Sequence, residues 1–511
     1  MARILEQING IVWGVPALAL ILGVGIYLTV RTGFAQITLF PQAVRQFLRL
    51  FRRKKHADGT VSPFQALCTA LGATVGTGNL AGVAGAIAIG GPGAIFWMWI
   101  CGGIGMVTKF AEATLAVRYR QKNDAGEYVG GPMYMISQGM SKKWHWLAGV
   151  YSFFGVVAAF GVGNATQINA VIAGVNQVIA SFGGQETTRG NLGMGLILAV
   201  LIATLLSGGM QGIGRVAEKI VPFGAAGYLL LGFGVLIVRW EAIPGAFQAI
   251  ILGAFSPRAV TGGVIGSVFS VLRIGVSRGV FTNEAGMGTA SIAHASAQVK
   301  HPVEQGLMGL LEVFLDTIVI CTMTALVILV SGVEIPYGED VGVTLTAQAF
   351  GQVCGDWTAV FLALALGFFA IATVLGWGLY GARCAQYLFG DHAWKRFVAV
   401  QAAAVVLGAV LQTGTVWLLS EIVNGLMAIP NLIVLAVLSP ELIRLTKSYK
   451  RKRADPSALG GTYEDIHQRQ PLRAFSYAEI PSSGGTGEKG RKEDLSPEYR
   501  SAGSSDPGGI L

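Results

Sequence analysis

Thr69-Ala-Leu-Gly72-Ala-Thr74-Val-Gly76-Thr77-Gly78-Asn79-Leu-Ala-Gly82 sits in the middle of an apolar run at 64–91 and is poorly composed for a continuous helix. Each interior Gly costs about 1 kcal/mol relative to Ala. Gly72-x-x-x-Gly76 and Gly78-x-x-x-Gly82 satisfy the small-residue pattern of close helix packing. Packing does not account for the polar cluster Gly76-Thr77-Gly78-Asn79 at mid-span. Unpaired backbone at membrane depth is tolerated only where it is buried in protein or lines a cavity. The stretch therefore predicts an unwound, ligand-contacting break. No Asp, Glu, Lys or Arg occurs between 62 and 105, so the ligand would be met by backbone. A half-helix N-terminus suits a carboxylate, and free carbonyls suit an ammonium group or Na+.

The rest of the chain supports a membrane setting. Of 511 residues, 52% are hydrophobic and 13% charged, against about 25% charged in soluble domains. About eleven apolar runs of roughly 20 residues recur, near 11–31, 64–91, 93–118, 146–180, 191–208, 213–238, 262–281, 304–331, 356–388, 394–413 and 415–439. The first is too long for a signal-peptide core and is followed, not preceded, by basic residues. The net charge of +9 does not point to nucleic acid. Its Lys and Arg follow odd-numbered runs: Arg45 to Lys55, Arg118, Arg120 and Lys122, Arg215 and Lys219, Lys300, Lys395 and Arg396, and the run 444–453. The loop 332–355 has Glu334, Glu339 and Asp340 but no Lys or Arg. The positive-inside rule then predicts a multi-pass protein of the bacterial inner (plasma) membrane, N-terminus outside and C-terminus cytoplasmic.

Four segments follow. Residues 1–33 hold an extra N-terminal helix. Residues 34–60 hold an amphipathic interfacial helix with Phe40, Val44 and Phe47 offset from Arg45 and Arg49. Residues 61–445 form a ten-helix core. The tail 446–511, polar and poor in aliphatic residues, is expected to be disordered and to meet anionic lipid at its basic start.

The seventh run, Thr261-Gly-Gly-Val-Ile-Gly266-Ser-Val-Phe-Ser270-Val-Leu-Arg273-Ile-Gly275-Val-Ser277-Arg278-Gly279, is also glycine-broken. With the N-terminal run set aside, the two broken runs are the first and sixth of ten. Interrupted spans at matching positions of two halves point to an inverted-repeat transporter. The five cysteines and six histidines show no metal-ligand spacing. Walker A and haem motifs are absent from the sequence, which argues against a primary pump or a haem enzyme.

The stretch 69–83 resembles the first core helix of the alanine/glycine:cation symporter family. So do Gly130-Gly-Pro-Met-Tyr134, Gly275-Val-Ser-Arg-Gly-Val-Phe-Thr-Asn-Glu-Ala-Gly286, Ile292-Ala-His-Ala295 and Leu375-Gly-Trp377 with Tyr380-Gly-Ala-Arg-Cys384. The resemblance covers about residues 5–445. It implies an all-α, leucine-transporter-type fold: a five-plus-five inverted repeat with one extra N-terminal helix. It also implies uptake of alanine or glycine driven by Na+ or H+, with Na+ as coupling ion and no organic cofactor. An H+-coupled transporter, an exporter and an ion channel remain alternatives. Thr282 stands where the family often has Ser, and Gly378 and Ala382 replace polar residues.

For the substrate, the resemblance implies the backbone of Gly76, Thr77 and Gly78, faced by Ser270, Ile274 and Gly275, with Trp377 closing over it. Asn164 and Gln167, three apart in a polar run, are expected on one helix face. For the cation, fold analogy implies carbonyls of Gly72 and Val75, with Ala370 and the Thr373 hydroxyl. Arg273, Arg278, Glu284, Glu312, Asp316 and Arg383 are expected to form an inner gate of Arg–carboxylate pairs, with structural pairing or a proton-coupling carboxylate as alternatives; Glu312 and Asp316, i and i+4 on one face, should repel unless a cation sits between them. Glycines facing Ile274 and Trp377 predict a pocket that excludes leucine, and Gly78→Ala is expected to abolish transport.

Overall fold

The computed structural model describes residues 2–52, 60–181, 183–339, 342–355, 357–411 and 414–454. Arg53, Lys54 and Lys55, and the tail beyond 454, lie outside the described residues. Among those described, helices dominate, and the one sheet is a two-residue hairpin, Gln121–Lys122 against Tyr128–Val129. Eight helices are long and apolar enough to cross a membrane, or up to ten if each of two bent pairs counts as one span. The seventh run predicted from sequence, 262–281, falls short. Residues 261–267 are not helical, and the helix Val268–Asn283 has only 16 residues.

The predicted break at 75–78 is present. Ser62 and Gln65 form a capping box, and Pro63 occupies the first turn, so the helix Pro63–Thr74 begins sharply. It stops at Val75, whose ψ of 100° is extended. The chain resumes as a π-turn at Gly78–Gly82 and an α-helix at Val83–Gly90, bent 50° from the first half. Two more π-turns, Gly161–Ala165 and Phe314–Cys321, interrupt neighbouring helices. Such turns recur at functional positions because they re-aim side chains within a helix.

The loop 332–355 contains a helix, Thr344–Cys354, whose Thr346 hydroxyl donates to the Leu80 carbonyl of the broken helix. The helix Phe40–Arg52 turns its apolar face toward protein: Phe40 packs edge-on against Phe314, with ring centroids 4.8 Å apart. The helix Ser439–Ala454 carries the chain past residue 446, and Lys450 reaches the Thr32 carbonyl.

Two packing groups position the site. The Gly93–Arg118 helix lies against Pro302–Val313 and Val268–Asn283. The Trp357–Phe389 helix lies against Pro63–Thr74, Trp146–Phe160 and Thr166–Ser181. The broken helix is held between them.

Candidate functional site

In an unbroken helix the Gly72 carbonyl would accept the amide of Gly76, four residues on. Here the Gly76 N–H donates instead to Asn79 Oδ1 at 2.9 Å. The freed Gly72 carbonyl accepts the Thr373 hydroxyl at 2.9 Å. A methyl group on Gly76 would lie 2.7 Å from Thr373 Oγ1 and 3.5 Å from Gln167 Oε1, so Thr373, Gln167 and the break share one point. Thr77 Oγ1 donates to Gln167 Oε1 at 3.2 Å, and the Gln167 amide is anchored on the Val162 carbonyl. Gly72, Gly76, Thr77, Gly78, Gln167 and Thr373 are thus brought together. Val75 is the extended residue between them, and Ala370, also buried, lies one helical turn before Thr373.

The second break is not where the sequence predicts it. Val268–Asn283 runs unbroken through Ser270, Ile274 and Gly275. The chain unwinds at Glu284, which is left-handed (φ 54°), and at Gly286 and Gly288 (φ 96° and 78°), before the helix Thr289–Ala295. Thr282, just before this break, faces the first one: a methyl group on Gly78 would meet it at 3.5 Å. That is ordinary contact, so the position that demands glycine is Gly76 rather than Gly78. Ile274 packs on Gly90, Gly275 on Ala94 and Trp97, and Ser270 sits beside the helix-capping Ser267. All three lie about 10 Å or more along the helix from Thr282. They do not form the wall opposite Gly78. The sequence misleads here because glycine density marks close helix packing at Gly275 and unwinding only at Gly286 and Gly288.

Asn164 and Gln167 do not share a face. The π-turn Gly161–Ala165 shifts the register, and Asn164 donates to the Gln401 carbonyl on the Ala393–Val410 helix. Trp377 does not close over the break. Its Cβ is packed on Gly163, and its indole N–H donates to Glu284 Oε1 at 2.9 Å.

The six charged residues do not form a single gate. Arg278 pairs with Glu421 at 3.5 Å in a cavity of about 640 Å³ that reaches Thr77 and is also lined by Ala170, Phe281 and Leu362. Arg383 pairs with Glu127 at 2.7 Å. It lies 21 residues beyond Leu362 on the same helix, about 30 Å away, so the two pairs sit at opposite ends of the bundle. Arg273 is exposed. Glu312 and Asp316 do not share a cation: Glu312 pairs with Lys109 at 3.3 Å and His294 at 2.8 Å. Asp316 accepts from Asn79 and Thr317.

Lys109, Glu112, His294 and Glu421 complete the buried network and the cavity mouth but are absent from the sequence-derived candidates. Lys109 and Glu112 were legible as two charges inside the apolar run 93–118. Glu112 Oε1 accepts the amides of Gly286 and Gly288 and the Asn431 side chain, so it grips the second break directly. The two breaks face each other where Thr282 approaches Gly78, beside the Gly72–Thr373 contact and a cavity that reaches Thr77.

The family model for the sodium:alanine symporter family matches residues 1–459. The chain belongs to the sodium:alanine symporter family. It is 41% identical over 460 residues to the sodium/alanine symporter AgcS of Methanococcus maripaludis, covering 88% of this chain and 97% of that one. It is 36% identical over 464 residues to the probable sodium/glutamine symporter GlnT of Bacillus subtilis, covering 89% and 92%. In fold it is similar to MhsT, solved in complex with L-phenylalanine, with a TM-score of 0.51 over 76% of this chain and 90% of that one. Identity there is 16%, so the likeness concerns fold alone: a leucine-transporter-type helical bundle with broken helices. As a member of the sodium:alanine symporter family, the protein is a multi-pass membrane transporter, and its two facing breaks are that transporter's candidate site.

Proposed function

We propose that this protein is a secondary transporter that imports a small neutral amino acid, alanine or glycine, together with Na+. The observation that carries the reading is the Gly72 carbonyl, released from its helical partner and met by the Thr373 hydroxyl. Uncharged oxygens at a helix break suit a weakly bound Na+. Gly72, Val75 and Ala370 would offer carbonyls and Thr373 its hydroxyl. The substrate carboxylate would sit at the start of the half-helix that begins near Gly78, close to Thr77 and Gln167, where the helix dipole favours negative charge.

Thr282 and Phe281, rather than Ile274, form the side facing Gly78, and the close approach of Thr282 supports a small substrate. The similarity to a sodium/alanine symporter supports the same reading. The basic loops support an inner-membrane orientation with the N-terminus outside, which places the Thr77 cavity on the outer side. The eleven-span count, with Val268–Asn283 and Thr289–Ala295 as two halves of one broken span, and the inverted repeat belong to this proposal.

The test is uptake of labelled alanine by proteoliposomes holding the purified chain. An inward Na+ gradient should drive accumulation, glycine should compete strongly, serine weakly and leucine not at all. Because GlnT is named for glutamine, glutamine belongs in the panel. Competition by glutamine equal to that by alanine would replace the small-substrate reading while leaving Na+ coupling intact.

A further inference from the structure

Lys109 and His294 both pair with Glu312, leaving three buried carboxyl groups, Glu112, Glu284 and Asp316, with no cation of their own. Asp316 is held by Asn79 and Thr317 near the first break. Glu112 and Glu284 meet at the second. Glu112 Oε1 is crowded by three donors: the Gly286 amide at 2.9 Å, the Gly288 amide at 3.1 Å and Asn431 Nδ2 at 2.7 Å. Its other oxygen, Oε2, is buried and has no hydrogen-bond partner. Glu284 accepts from Trp377 and Thr289. The hydroxyls of Tyr151 and Tyr380 are also fully buried without partners, and both lie within electrostatic reach of Glu112 and Glu284.

A buried carboxylate without a counter-ion is costly, and such groups are usually neutralised. Oε1 is saturated by donors and cannot carry a proton. Oε2, which meets no donor, can. The remaining charged neighbours are Lys109 and Glu312, which offset each other, and His294, whose ring sits between Glu312 and Gln305.

We propose that Glu112 and Glu284 form a proton-binding site at the second break, distinct from the Na+ position at Thr373, and that a proton bound there crosses with the substrate. The proton enters from the outer solution, resides on Glu112 Oε2 and leaves to the cytoplasm. Because the same carboxyl group grips the amides of residues 286 and 288, its protonation is mechanically tied to the shape of the break. This inference rests on the symport reading above.

The test uses the full-length chain in weakly buffered proteoliposomes loaded with pyranine, under an inward Na+ gradient with labelled alanine outside. The lumen should acidify in step with alanine entry. Glu112→Gln, which fixes the neutral form, should lower the acidification per alanine taken up, whatever it does to the uptake rate, and Tyr380→Phe should shift the pH at which uptake is half-maximal. Should Glu112→Gln fail to fold, Glu284→Gln and the wild-type proton flux carry the test. Alanine uptake by the wild type with no acidification overturns the proton site and leaves Na+ symport standing. Acidification that persists in both Gln variants overturns the assignment to this pocket. Absence of Na+-driven alanine uptake in the wild type overturns both readings.

Discussion

Replacing Thr373 with Val keeps the side chain's size and branching but removes its hydroxyl. In the structure that hydroxyl donates to the Gly72 carbonyl at 2.9 Å, in place of the helical amide lost to Asn79. Without it, a bound Na+ loses one of its few oxygens and a buried carbonyl loses its donor. Losing an oxygen contact to a charged group costs about 1.5–3 kcal/mol, which corresponds to roughly a 10- to 150-fold rise in the half-saturating Na+ concentration. Thr373→Ser keeps the hydroxyl and should stay close to wild type. The assay is initial alanine uptake in proteoliposomes against external Na+, at constant membrane potential, with the substrate panel repeated for each variant. Substrate preference should be unchanged in both. A Val variant with wild-type Na+ activation would refute the assignment of the cation to Gly72 and Thr373.

Three further outcomes follow from the same geometry. Gly76→Ala places a methyl 2.7 Å from Thr373 Oγ1, closer than carbon–oxygen contacts allow, and should lose Na+ activation more completely than Gly78→Ala, whose methyl fits against Thr282. Gln167→Leu removes the partner of Thr77 and should raise the KM for alanine at normal membrane yield, whereas Asn164→Leu, which breaks only the bond to Gln401, should lower yield and leave KM unchanged. Lys109→Met leaves Glu312 buried with His294 alone and should destabilise the fold by about 3–5 kcal/mol. Adding Glu312→Gln should restore much of the detergent-solubilised thermal stability, and failure of that rescue would show that the Lys109–Glu312 pair is not the cause.

The first break was legible because its two signals coincide: glycines that weaken a helix and polar side chains that have no packing role at mid-span. The second was misplaced for a physical reason. Gly275 and Gly279 are small because the Gly93–Arg118 helix passes against them, and sequence alone does not separate that cause from unwinding. The true break needs positive φ at Gly286 and Gly288, and it is held open by Glu112, a residue some 170 positions away. Asn164 was misread because a one-residue π insertion rotates everything after it, and helical spacing presumes no insertion. The grouping of Arg278 with Arg383 failed for a related reason: charge inside a span is visible in sequence, but which end of the bundle it occupies depends on where each helix begins. Gly72 and Thr373, by contrast, could be paired through fold analogy, and they lie in contact.

The central claim is that amino-acid entry is driven by Na+ held at the first break. The most direct measurement is concentrative alanine uptake by proteoliposomes under an inward Na+ gradient, compared with an equal K+ gradient at the same membrane potential and pH. The account predicts accumulation above equilibrium with Na+ alone, collapsing when Na+ is equalised across the membrane. Equal accumulation in Na+ and K+ would contradict it.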